Sequence, residues 1–230
     1  MSHAAILPAV TATHFADRTL ADIAASLPGA TAVFRKRKLD FCCGGQVRLA
    51  DAAAGKNLSL RELESELDAV AKARIPDMLP QDTPALIALI ETGYHAAHRR
   101  DLPELIRLAR RVEAVHRNNP SVPAGLADLL ENMMLELEAH MQKEEQVLFP
   151  QMRHGAHAMI AQPINAMLIE HDDHGEYLRR LENLTADFQA PADACTTWRA
   201  LYAGCRKFAD ELMDHIHLEN NVLFPRFIDR

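Results

Sequence analysis

Two short patterns, each written twice, carry the chemistry of this 230-residue chain. His140-x3-Glu144-x3-Leu148-Phe149-Pro150 returns 75 residues later as His215-x3-Glu219-x3-Leu223-Phe224-Pro225, and His95-x2-His98 returns 76 residues later as His171-x2-His174. Residues four apart share a helix face, so each H-x3-E offers an imidazole and a carboxylate to one site. Imidazole with carboxylate suits iron, manganese or zinc and disfavours calcium and magnesium. His95, His140, His171, His215, Glu144 and Glu219 are too many ligands for one ion with an open position. They suit two ions, each with two histidines, joined by Glu144 and Glu219 as bridges. That leaves room for an oxo or hydroxo bridge and a small exogenous ligand.

The elements that must position these residues are long helices. One begins at Thr83-Pro84, with proline at the first helical position where its missing N–H costs nothing, and ends near Asn118-Asn119-Pro120. Pro103 inside it predicts a kink. Three more run from about Pro123 to Pro150, about Pro163 to Phe188 and about Asp193 to Pro225. Short connections between four long helices predict an up-down-up-down bundle. At a rise of about 1.5 Å per residue, His95 and His171 lie about 18 and 12 Å from their helix starts, and His140 and His215 about 15 Å from their helix ends. In that topology those starts and ends share one end of the molecule, so the histidines converge on one layer. Burying such a layer without a compensating ion is expensive.

Other residues of these types have weaker patterns. Glu145 rivals Glu144 but falls outside the repeat. His98 and His174 read as supporting or core residues. Glu136 and Glu211 are candidate hydrogen-bond acceptors for His140 and His215. His3, His14, His116, His154, His157 and His217 match no repeat and read as surface residues, while Cys195 and Cys205 read as core.

Ahead of the bundle, short helices are expected. Leu20, Ile23, Ala24 and Leu27 share a face after the cap Thr19, and Pro28-Gly29 stops that helix. A second, around Ala30 to Lys38, leads into Phe41-Cys42-Cys43-Gly44-Gly45, and Ser59 with Glu62 forms a capping box for a third. A proline-marked joint at Ile75 to Pro80 divides a small helical domain, residues 1–78, from the bundle, residues 79–230. Adjacent cysteines rarely close a disulfide because the vicinal ring is strained. Cys42 and Cys43, with Arg35, Lys36, Arg37 and Lys38 just upstream, are therefore candidate reactive thiols with lowered pKa values, suited to transient metal binding, nitrosylation or thiol exchange.

The formal net charge of −7 argues against nucleic-acid binding, and no apolar run approaches the length of a membrane span. Only four cysteines and no secretory pattern at the N-terminus point to the cytoplasm.

LDFCCGG, YHAAH, HMQKEEQVLFP, EHDDHGE and HIHLENNVLFP, in that order from about residue 15 to about residue 226, together resemble the RIC family, for repair of iron centres. The resemblance implies an all-α fold, with a small helical N-terminal domain before a hemerythrin-like four-helix bundle. It implies two non-haem iron ions held by His95, His140, Glu144, His171, His215 and Glu219, the same set the repeat gives. Damaged iron–sulfur proteins are the implied partners, with repair after nitrosative or oxidative stress by supply of iron. Nitric oxide reduction at the di-iron centre, or hemerythrin-type binding or sensing of NO or O2, remains an alternative, and a homodimer stays open.

Overall fold

The computed structural model describes residues 15–72, 79–155 and 160–228. All their regular structure is helical apart from one isolated bridge between Thr19 and Arg48, as the periodicity predicts. Most of the Ile75 to Pro80 joint, together with His3, His14 and His157, lies outside the described residues.

Four short helices come first: α1 (Leu20–Ser26), α2 (Ala30–Lys36), α3 (Leu49–Gly55) and α4 (Leu60–Lys72). Thr19 caps α1 by accepting from the Asp22 amide at 3.1 Å, and Ser59 accepts from the Glu62 amide at 3.4 Å at the start of α4. Gly29, at φ 90°, makes the left-handed entry into α2 that a side chain would oppose. The loop from α2 to α3 carries the cysteines. A Cβ on Gly45 would sit 2.4 Å from the Phe41 carbonyl oxygen, so only glycine fits there.

Four long helices follow. α5 comprises Thr83–Leu89, Ile90–His95 and Ala96–Val115; α6 comprises Leu126–Lys143, Glu144–Leu148 and Phe149–Arg153; α7 is Ala161–Leu184; α8 comprises Thr196–Leu218, Glu219–Leu223 and a final 3₁₀ turn Phe224–Arg226. α5 packs on α6, α6 on α7, α7 on α8 and α8 on α5, closing the bundle. The helix continues through Pro103 as α-helix. The departures from α geometry are π turns at Ile90–His95, Glu144–Leu148 and Glu219–Leu223. Each begins or ends on a repeated histidine or glutamate, where π turns commonly serve function.

Two apolar clusters sandwich the histidine layer. On one side Leu102, Leu105, Leu130, Leu137, Leu181, Trp198 and Phe208 fill the bundle, and Phe34, Phe41, Leu49 and Leu67 of the small helices continue the same cluster. On the other, Leu86, Ile90, Leu148, Phe149, Ile164 and Phe224 close the end. No helix among the described residues is long and apolar enough to cross a membrane.

Candidate metal centre

His95, His140, His171, His215, Glu144 and Glu219 are all buried and meet in the layer between the two clusters. The Nε2 atoms form two close pairs, His95 with His215 and His140 with His171, each at 3.0 Å. The two glutamates span both pairs. Glu144 presents Oε2 to His95 at 3.5 Å and Oε1 to His140 at 3.4 Å; Glu219 presents Oε1 to His215 and Oε2 to His171, each at 3.1 Å. Which histidines belong together, open in the sequence, is thereby assigned by geometry.

Hydrogen bonds behind the rings fix the proton positions. His95 Nδ1 donates to Glu145 at 2.7 Å, His140 Nδ1 to Glu170 at 2.8 Å and His171 Nδ1 to the Asn220 carbonyl oxygen at 2.6 Å. With Nδ1 committed to those acceptors, the three rings present Nε2 inward, the atom a metal ion would take from the neutral imidazole. Burial pushes the carboxyls of Glu144 and Glu219 up, yet the surrounding histidines hold both below the usual range. Both Glu144 oxygens and Glu219 Oε2 lack a hydrogen-bond partner among the described residues. Two buried carboxylates shared by two histidine pairs are unfavourable without positive charge among them, which protons on the histidines or metal ions supply. Two ligands at right angles, each about 2.1 Å from a first-row metal, lie about 3.0 Å apart, the separation each histidine pair already has. The residues present fit two bridged metal ions.

The supporting residues differ from the sequence expectation. Glu136 and Glu211 are not the acceptors: Glu211 takes Lys207 at 2.6 Å, and Glu136 lines a surface cavity. The acceptors are Glu145, Glu170 and Asn220. Their signal was legible in part, because Glu145 and Asn220 occupy the same repeat position, one past the bridging glutamate. Glu170 has Tyr94 as its counterpart, and Tyr94 stacks on His215 with ring centroids 5.8 Å apart. His215 Nδ1 accordingly has no hydrogen-bond partner among the described residues. His98 and His174 stand outside the ligand groups, His98 edge-on to Phe208 and His174 edge-on to His140. Burial holds both neutral, His174 at about 3. Phe149 and Phe224 of the repeated LFP stack on His95 and His171 respectively, centroids 5.9 Å apart in each case, walling the layer.

The thiol loop docks on this layer. Asn220 Nδ2 donates to the Cys42 carbonyl at 3.1 Å, Asn221 Nδ2 to the Phe41 carbonyl at 3.1 Å, and the Cys43 thiol to the His171 carbonyl at 3.4 Å. The expectation of a lowered thiol pKa is wrong for Cys42. Its hydrogen bond with Cys43 and its burial push it well above the usual thiol range. The basic residues upstream are engaged elsewhere: Arg35 with Asp214, Lys36 and Arg37 with Glu66, Lys38 with Glu182 and Asp187. His217, expected at the surface, is buried beneath Phe41, centroids 5.5 Å apart. Cys205 is core as expected, whereas Cys195 is exposed at the start of α8, where its Sγ meets His116 Nε2 at 3.2 Å.

Comparison with known proteins follows the same division. Residues 90–227 match the hemerythrin HHE cation binding domain, and residues 16–71 match the ScdA N-terminal domain, a domain of unknown function (DUF542). A probable iron-sulfur cluster repair protein of Haemophilus influenzae is 45% identical over 219 residues, 94% of this chain and 98% of that one. This chain belongs to the RIC family. Two further members, the iron-sulfur cluster repair proteins YtfE of Citrobacter koseri and of Escherichia coli O157:H7, are each 46% identical over 213 residues, 92% of this chain and 97% of theirs.

Asn220 gives this RIC member a link between its thiol loop and its metal layer. It orients His171 with one end and holds the Cys42 carbonyl with the other. Asn220→Ala is expected to weaken metal binding by about 10–100-fold in chelator competition, the usual cost of removing such a partner. Asn220→Asp, which restores the acceptor found at Glu145, is expected to bind more tightly than the alanine variant. Equal metal affinity in wild type and Asn220→Ala would show that the hydrogen bond does not orient His171.

Proposed function

We propose that this chain repairs iron–sulfur clusters damaged by nitrosative or oxidative stress, supplying iron held as an oxo- or hydroxo-bridged non-haem pair. His95 and His215 would hold one ion, His140 and His171 the other, with Glu144 and Glu219 between them. The observation that carries this reading is the thiol loop seated on the back of the metal layer, with the Cys43 thiol on the His171 carbonyl and the Cys42 carbonyl on Asn220. A simple carrier of O2 has no use for such a loop. Three curated relatives covering nearly the whole chain carry names of iron–sulfur cluster repair proteins, which supports the same activity here.

When filled, the centre supplies transferable iron and open positions for small ligands such as NO or O2. The residues around it serve release as well as retention. A cavity of about 340 Å³ opens beside His174, lined by Glu136, Glu170, Asp173 and Glu176. Such a concentration of carboxylates attracts cations, and Glu170 belongs to both the cavity and His140. The second reading, reduction of two NO with two electrons and two protons to nitrous oxide and water, draws on the same residues.

The experiment that separates them supplies the iron-loaded chain to an aconitase-like protein whose cluster has been damaged by NO. Target activity, iron transferred and nitrous oxide are followed together. Recovery of the target with matching loss of iron from the chain is expected. Catalytic nitrous oxide production without iron transfer would favour the enzyme, and reversible ligand binding alone would favour the hemerythrin-type module.

A further inference from the structure

We infer that Asp40, Cys42 and Cys43 form a separate metal site for one divalent cation of borderline softness, such as ferrous iron or zinc. One oxygen of Asp40 and the two sulfurs lie within 4.8 Å of one another. The Sγ atoms are 3.8 Å apart, and Cys42 Sγ is 3.5 Å from Asp40 Oδ1. A tetrahedral ion with sulfur at about 2.3 Å and oxygen at about 2.0–2.2 Å has a sulfur–sulfur edge of about 3.8 Å and a sulfur–oxygen edge of about 3.5 Å. Two edges of such a tetrahedron are therefore already in place.

The loop is built to hold that shape. The Cys43 amide donates to Asp40 Oδ1 at 3.0 Å, tying the carboxylate to the thiol turn. A Cβ on Gly44 would come within 3.2 Å of Asp40 Oδ2, so glycine keeps the carboxylate's place free. From the other side, the Cys42 carbonyl is pinned by Asn220, and Cys43 Sγ lies 3.7 Å from where a Cβ on Gly175 would stand. α7 thus approaches the thiol closely.

Three protein ligands leave the fourth position of a tetrahedral ion open. Asp40, Cys42 and Cys43 all line a cavity of about 270 Å³, with Arg35, Lys38, Arg179 and Glu182 also on its wall, which gives a fourth ligand room to enter. The cations there are paired with Asp214, Glu182, Asp187 and Glu176, so a neutral fourth ligand such as water suits the position. On binding, the cation displaces the thiol protons of Cys42 and Cys43, which pass to solvent, and no electron moves. Two thiolates, one carboxylate and a divalent ion leave one negative charge beside Lys38 and Arg179. The bundle centre offers no sulfur, so the thiol site favours softer cations than the bundle does. The site is tested by binding alone and stands apart from the proposed function.

Anaerobic titration of the full chain with Co²⁺, its bundle metals in place, tests the assignment. About one equivalent should bind with sulfur-to-cobalt charge-transfer absorption in the near ultraviolet, while the bundle metal is retained. Cys42→Ser/Cys43→Ser should abolish that absorption. Asp40 is exposed, so Asp40→Asn leaves packing intact; it should weaken cobalt binding by about tenfold or more while keeping the thiolate band. Absence of the band at saturating cobalt would overturn the site, as would equal affinity in the Asp40→Asn chain.

Discussion

Replacing Glu144 or Glu219 by leucine is expected to remove the paired metal centre, lowering bound metal from about two ions per chain to about one or none. Each glutamate reaches both histidine pairs, Glu144 through oxygens 3.5 and 3.4 Å from His95 and His140. Among the described residues no other carboxylate belongs to the two histidine groups. Leucine has similar volume and no charge, so the fold should survive. Removing one partner of a buried ionic cluster leaves the others uncompensated at a cost of about 3–5 kcal/mol, so the metal-free Glu144→Leu chain should unfold at a lower temperature than the metal-free wild type. Glu145→Leu is the informative contrast. It removes the acceptor of His95 Nδ1 but no bridge, so both ions should still bind, with affinity lowered by about 10–100-fold. Metal analysis beside thermal unfolding checks all three variants. A Glu144→Leu chain that keeps a full metal complement would remove the bridging role.

Cys42→Ala/Cys43→Ala is expected to leave the bundle's metal content and near-ultraviolet spectrum unchanged while lowering cluster repair by about tenfold or more, the scale of losing a positioned reactive group. The bundle already supplies a full set of imidazoles and carboxylates, so soft thiolates are not needed to hold its ions. The contacts from the loop to the bundle run through backbone carbonyls, to Asn220 and Asn221, and alanine preserves them. What the variant loses is sulfur: the Cys43 contact with the His171 carbonyl and the pair available to an ion or to a partner's thiol. Loss of metal from the bundle would place the thiols in the primary site. Repair at the wild-type rate would show that the small helical region has another task.

The six residues that converge on the buried layer were legible because the chain states them twice, and repetition sets them apart from an ordinary buried histidine. Their supporting residues were less so. Glu170 and Asn220 reach across from neighbouring helices to His140 and His171, a relation that spacing along one helix does not express. Glu136 and Glu211 looked suitable because an α-helix puts residues four apart on one face, yet Nδ1 points between helices rather than along its own. His217 carried no repeated signal, since its burial comes from Phe41 in another part of the chain. Cys42 was misread for a related reason. Arg35 to Lys38 are close to Cys42 in sequence, but their charges are committed to Glu66, Asp214, Glu182 and Asp187. The π turns at Glu144 and Glu219 left no mark in a pattern read at α-helical period.

The central claim is that two irons share the layer through Glu144 and Glu219, and metal analysis of the purified chain tests it most directly. The arrangement predicts about two irons per chain in the bundle, counted in the Cys42→Ala/Cys43→Ala chain so that the thiol loop adds none. A chain that takes up a single ion in the bundle, or that reconstitutes only with zinc, would contradict it.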